Sequence, residues 1–161
     1  MLDELYQDII LQAARDTRFR GSLSGEPGSL NVRMNNPLCG DSLDLWVSFD
    51  SDRIRDIRCD GHGCLISQAS ANLFAREVQD RPIEEIESIC ASFRGLLLSQ
   101  ISEEEKDGLG QLSALEGIRR LPARARCALL ACEALERVLR HKKAELEAAR
   151  GSSSVLTSEA H

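Results

Sequence analysis

No stretch of the 161 residues approaches the ~20 consecutive apolar residues that a membrane-spanning helix needs. The opening "MLDELYQDIILQAARD" has neither the basic n-region nor the small-residue cleavage site of a signal peptide, and it reads as an acidic amphipathic helix. Both absences predict a cytoplasmic protein that does not engage a membrane. Aromatic residues are scarce, with one Trp, one Tyr and four Phe (4%), too few for a base-stacking platform. Overall basic charge is also lacking. Twenty Lys and Arg face 26 Asp and Glu, giving a net charge of −6 and a pI of about 5.1. Nucleic-acid binders usually carry a basic face, so no nucleic-acid partner is expected. Arginine far outnumbers lysine, however, and many arginines fall between Arg94 and Arg150, which leaves room for a local basic patch toward a protein partner. Six cysteines without a single CxxC pair are too few and too scattered for a secreted disulfide framework. In a cytoplasmic chain such cysteines point to metal or thiol chemistry for some and to burial for others.

Hydrophobic patterning predicts one domain over residues 1–149. Residues 2–15 predict a first helix, with Leu2, Leu5, Ile9, Ile10 and Ala13 near one face. "RGSLSGEPGSLN" is a loop. "LNVRMN" is a short strand. In "DSLDLWVSFD", Leu43, Leu45, Val47 and Phe49 alternate with Asp44 and Ser48. "DSDR" is a polar turn and "RIRDIRC" a third strand. Helices follow at 64–79, from Pro82 through "IEEIESICASFRGLLLSQ", at "LSALEGIRRL" and at 122–149, with the charged "SEEEKDGLGQ" as a connector. The segment 150–161 is predicted to be a disordered tail. Strands first and helices afterwards predict an α+β fold, a small antiparallel sheet with helices packed on one face.

The cysteines separate by position. Cys59 shares a strand face with Ile57, Cys90 a helix face with Ile86 and Phe93, and Cys132 the apolar stripe of the last helix. Unpaired cysteine is among the most buried residue types, so these three are expected in the core. Cys39 lies in a Pro-Leu-Cys-Gly-Asp turn, Cys64 follows "GHG" and opens a helix, and Cys127 follows "PARAR" early in the last helix. Thiols at such junctions are able to bind ligands or react. Helix starts and nearby arginines favour the thiolate. Cys39 and Asp41 stand two apart around a flexible glycine, a spacing from which both can converge on one ion. Three thiolates and a carboxylate would complete a tetrahedral zinc site. Spacing alone leaves open whether the three distant segments meet.

Three stretches carry a resemblance: "MNNPLCGDSLDL", "DGHGCLISQASAN" and "LEGIRRLPARARCALLACEALE". They match, in order, the NPxCGD, GxGCxIS-x-AS and P-x-R-x-x-C-A motifs of the IscU/NifU N-terminal family of iron–sulfur cluster assembly proteins. The resemblance spans roughly residues 5–140. It is strongest to the SufU branch, because Arg126 stands where scaffold-type members carry histidine and a long segment separates the second and third motifs. It implies a three-stranded sheet and a gathering of Cys39, Asp41, Cys64 and Cys127 at one end of the molecule. The chain departs from the family at "AARDTRFRGSL" after the first helix and at His62, which reads as a solvated loop histidine or, alternatively, an extra ligand or proton carrier.

The resemblance further implies a sulfurtransferase-like role. Zinc held by Cys39, Asp41, Cys64 and Cys127 would keep the thiols deprotonated. A SufS-like cysteine desulfurase would present a persulfide, and Cys127 or Cys39 would accept its outer sulfur for downstream cluster assembly proteins. The alternative is a scaffold in which the same residues hold iron or a transient [2Fe–2S] cluster. A purely structural zinc, or ordinary buried cysteines, is the third reading.

Overall fold

The computed structural model describes residues 2–37 and 40–159. Helix α1 (Leu2–Arg15) leads into a sheet of β1 (Leu30–Asn36), β2 (Asp41–Asp50) and β3 (Arg53–His62) in the order β1-β2-β3, antiparallel throughout. The alternation in β2 places Leu43, Leu45 and Val47 in the core. On the opposite face Arg33 and Asp44, directly paired across β1 and β2, form a 2.7 Å ion pair. The period slips near the end of β2. Ser48 pairs with Asp56 but Phe49 with Ile54, so Arg55 is an extra residue on β3. Ser48, on the polar face by simple alternation, is nevertheless buried beside this bulge.

The helices are α2 (Leu65–Val78), α3 (Ile83–Leu98), α4 (Glu103–Asp107) and α5 (Pro122–Glu159), with a 3₁₀ segment Gly110–Arg120 before α5. Helix α2 is the central strut and packs against α1, α5 and β3. Its small residues Ala69, Ser70, Ala71 and Ala75 are buried, which lets neighbouring backbones come close. Ser70 Oγ donates to the Ala128 carbonyl of α5 at 2.6 Å. Phe74 and Phe93 meet edge to face, centroids 4.8 Å apart, and tie α2 to α3. Helices α2 and α5 thus cover one face of the sheet, and the α+β architecture follows the expectation.

Three local readings differ. The connector "SEEEKDGLGQ" contains α4, nucleated by a capping box in which Ser102 and Glu105 satisfy each other's backbone amides. The stretch "LSALEGIRRL" is 3₁₀ rather than α, held by burial of Leu112, Ala114 and Leu115. Helix α5, expected over 122–149, runs on to Glu159. Extending an existing helix requires no new nucleus, so a weakly helical sequence can follow a strong one. Among the described residues, no helix is long and apolar enough to cross a membrane.

Candidate metal centre

The sheet register assembles the centre. Asn36, last in β1, lies directly opposite Asp41, first in β2. Between them the chain reverses, with the Gly40 amide bonded to the Asn36 carbonyl at 2.9 Å. Gly40 adopts φ +73°, a left-handed conformation that a side chain would disfavour. On the other side of β2, Ser42 pairs with His62, so the next step along β3 brings Gly63 and Cys64 beside Asp41. The Cys64 amide donates to Asp41 Oδ1 at 3.0 Å.

Cys64 is the N-cap of α2, and the unbonded first-turn amides of that helix bring positive partial charge to this end. Cys127 comes from the second turn of α5. Its place is fixed by the Ser70–Ala128 hydrogen bond one residue later. Ligand atoms of Asp41, Cys64 and Cys127 all lie within 4.8 Å of one another. Asp41 and Cys127 are 4% and 1% exposed, whereas Cys64 is half-buried.

These donors fit zinc. Zn–S bonds of about 2.3 Å and Zn–O bonds of about 2.0–2.2 Å place tetrahedral ligands roughly 3.5–3.8 Å apart. Small side-chain rotations close the remaining gap. Two thiols with one carboxylate form a mainly soft set with one hard member. Cys39, the expected fourth ligand, lies outside the described residues. His62 ends β3, is exposed, and does not belong to the set of donors brought together.

Two residues around the centre carry functions that the sequence reading did not assign. Asn36 is 7% exposed, and its Nδ2 donates toward Cys127 Sγ at 4.0 Å, a long contact to a polarisable acceptor. Its only sequence signal was its place in "NNPLCGD". Gly63 supplies space: a Cβ there would stand 2.1 Å from Ser67 Oγ and 3.4 Å from Asp41 Cγ. The glycine before Cys64 was visible, but the neighbour it admits was not.

The remaining cysteines sit in the core. Cys59, Cys90 and Cys132 are 8%, 1% and 0% exposed. Burial pushes the Cys59 thiol up to about 12. It contacts the Ala71 carbonyl at 3.9 Å. Cys132 donates to the Cys90 carbonyl at 3.6 Å; hydrogen bonding to Cys90, then burial, raise its pKa far above that of an ordinary thiol.

The NifU-like N terminal domain family matches residues 5–143. The chain is 35% identical over 136 residues to the zinc-dependent sulfurtransferase SufU of Bacillus subtilis (strain 168), spanning 84% of this chain and 90% of that protein. It is 32% identical over 139 residues to the iron–sulfur cluster assembly scaffold protein IscU of Streptococcus pyogenes serotype M1, spanning 86% of this chain and 85% of the relative. A crystal structure from Fervidobacterium islandicum AW-1, described as an iron–sulfur cluster assembly scaffold for the SUF system, superposes with a TM-score of 0.76 at 27% identity, covering 84% of this chain and 97% of the other. With the matched residues spanning the sheet, the helices and all three clustered ligands, the chain belongs to the NifU-like N-terminal domain family of iron–sulfur cluster assembly proteins.

Proposed function

We propose that this protein serves iron–sulfur cluster assembly as a zinc-dependent sulfur acceptor, taking persulfide sulfur from a cysteine desulfurase. The observation that carries the reading is the convergence of Asp41, Cys64 and Cys127, from three separate segments, to within 4.8 Å. Their arrival at the start of three elements, together with the SufU likeness, supports a centre built for exchange. Cys39 is the proposed fourth ligand. Bound zinc would hold the thiols as thiolates at neutral pH and protect them from oxidation.

The chain's own residues supply the rest. Asp41 is the hard ligand among thiolates and the one most easily released. Cys127 or Cys39 is the proposed acceptor. Its thiolate attacks the outer sulfur of the donor persulfide, a new S–S bond forms, and the donor's thiolate leaves. Cys127 is 1% exposed, so acceptance there requires its side chain to turn outward. Arg124 and Arg126, exposed on the first turns of α5, place positive charge beside the incoming anionic persulfide.

A second reading, a scaffold for a transient [2Fe–2S] cluster, is favoured by the likeness to IscU and uses the same donors. Metal analysis of anaerobically purified protein, with a persulfide assay using a desulfurase and cysteine, separates the two. About one zinc per chain, and desulfurase turnover that rises with this protein and is lost in Cys127→Ala and Cys39→Ala together, is the expected result. Iron and sulfide with a visible absorption band, and no stimulation, would replace the first reading by the second.

A further inference from the structure

Beside the metal centre lies a cleft of about 330 Å³ between the α1–β1 loop, the end of β3 and the start of α2. That size is at the lower end of small-molecule sites, suited to an amino-acid-sized ligand. Its walls are fixed. The buried Asn72 side chain of α2 donates to the Ala13 and Asp16 carbonyls at 2.7 and 3.0 Å, satisfying the end of α1. Arg76 ties Asp16 to α2 at 2.9 Å. The segment after α1 pairs with the β3 edge, the Cys59 amide donating to the Phe19 carbonyl at 2.7 Å and the Gly21 amide to the Cys59 carbonyl at 3.2 Å. This pairing sets Arg20 at the rim of the cleft.

The chemistry of the lining is specific. Arg20 and Asp60 both border the cleft, are exposed, and form no ion pair among the described residues. Asp60 Oδ1 accepts the neighbouring Gly61 amide at 2.9 Å. Asp16, also in the lining, is already paired with Arg18 and Arg76, at 2.8 and 2.9 Å. Leu43 and Ala71 provide an apolar floor. Among the described residues, the cation of Arg20 and the carboxylate of Asp60, with His62 and a short apolar floor beside them, complement a ligand with a carboxylate, an ammonium and a short side arm. The cleft borders the centre through chain neighbours of its ligands: Ser42, next to Asp41, and Gly63, next to Cys64, both line it.

We propose that this cleft binds a zwitterionic low-molecular-weight aminothiol of the cysteine class, which takes the sulfur from the protein once it has been accepted. This rests on the sulfur-acceptor reading above. The carboxylate is held by Arg20 and the ammonium by Asp60, with the thiol directed past Gly63. The ligand's thiolate attacks the outer sulfur of the protein persulfide. One S–S bond forms to the ligand, the S–S bond to the protein cysteine breaks, and the protein thiolate leaves. The ligand departs as a persulfide, with no net oxidation or reduction.

The test begins with an unreactive probe. S-methyl-L-cysteine is titrated into the zinc-loaded full chain and followed by calorimetry and by amide chemical shifts. Saturable binding is expected, with shifts at Gly61, His62, Gly63 and Gln68. Arg20→Gln should weaken it at least tenfold, yet leave unchanged the already weak binding of the probe's methyl ester, which lacks the carboxylate. Asp60→Asn should do the same toward the unmodified probe but not toward its N-acetyl form. Loss of binding without this crossed pattern, shifts confined to other surfaces, or no saturable binding would overturn the proposal, as would binding only when the cysteine is part of a longer peptide. With persulfide-loaded protein, discharge by L-cysteine should saturate and discharge by 2-mercaptoethanol should remain linear in concentration. Probe binding needs no sulfur chemistry, so the two readings fail separately. Intact binding without sulfur acceptance removes the acceptor function and the transfer step. Sulfur acceptance without probe binding removes the cleft alone.

Discussion

Cys127 and Cys132 lie on one helix, both at most 1% exposed, yet they stand in different chemical settings. Cys132 faces the Cys90 carbonyl across the α3–α5 contact and lies 3.8 Å from Glu136, and its hydrogen bond to Cys90, then burial, penalise a thiolate. Cys127, five residues earlier, faces Asp41, Cys64 and the Asn36 carboxamide, the polar groups at the starts of β2 and α2 and the end of β1. Burial alone therefore does not mark a structural cysteine. The decisive difference is whether the groups around the thiol converge as several donors that can share an ion. The same contrast separates Cys64, an N-cap at the mouth of the centre, from Cys59, four residues beyond Arg55 on β3 and held neutral by burial.

The contrast breaks most visibly under substitution at the centre. Cys127→Ser should lower zinc affinity by at least ~100-fold while leaving the fold intact by circular dichroism, because loss of a ligand removes one of about four strong bonds. Zinc competition with a chromophoric chelator measures it. Cys132→Ala should leave that affinity unchanged; equal losses in the two variants would erase the distinction.

Thiol labelling sharpens it next. In metal-free folded protein at neutral pH, Cys59 should alkylate at least ~100-fold more slowly than an ordinary thiol, because only the thiolate reacts. Its rate should rise about tenfold per pH unit up to its pKa of about 12. Mass spectrometry after pulsed labelling, resolved by peptide, gives the profile. A plateau near pH 9 would place Cys59 with the reactive set.

Stability effects are smaller. Cys132→Ala removes a buried sulfur from the α3–α5 contact and should cost about 1 kcal/mol in denaturant unfolding, with zinc stoichiometry unchanged.

The smallest effect concerns the frame rather than either set of thiols. Hydrogen bonding to Arg18, aided by Arg76, holds the Asp16 carboxyl well below the usual carboxylate range. A depressed folded pKa stabilises above the unfolded value of ~4 and loses that contribution as pH falls through and below it. Asp16→Asn should lower Tm by a few degrees at neutral pH. The gap to the parent protein should close in acid, and zinc affinity at neutral pH should be unaffected.

Much of the frame is local and periodic. The alternation of Leu43, Leu45 and Val47 and the helical repeats around Ile86 and Leu135 identify buried faces because side-chain direction repeats every two or 3.6 residues. The same periodicity places Cys90 and Cys132 in the core. It fails where tertiary contacts override it: at the Ser48–Phe49 register shift, and in the 3₁₀ turn pinned by Leu112 and Leu115. Sequence position also separates Cys64 and Cys127 from the core cysteines, since each follows a glycine or proline punctuation at the start of an element.

By itself, the sequence determined which residues are candidates for metal and thiol chemistry, because residue type and local punctuation are properties of a few adjacent positions. Only the tertiary structure decided that Asp41, Cys64 and Cys127 meet. Their approach depends on the β1–β2–β3 register, on the missing Cβ of Gly63 and on the Ser70–Ala128 bond between two helices. The cleft between Arg20 and Asp60 is likewise a product of the fold. Forty residues separate those two charges in the chain, and only pairing of the 19–21 segment with the β3 edge brings them to one rim.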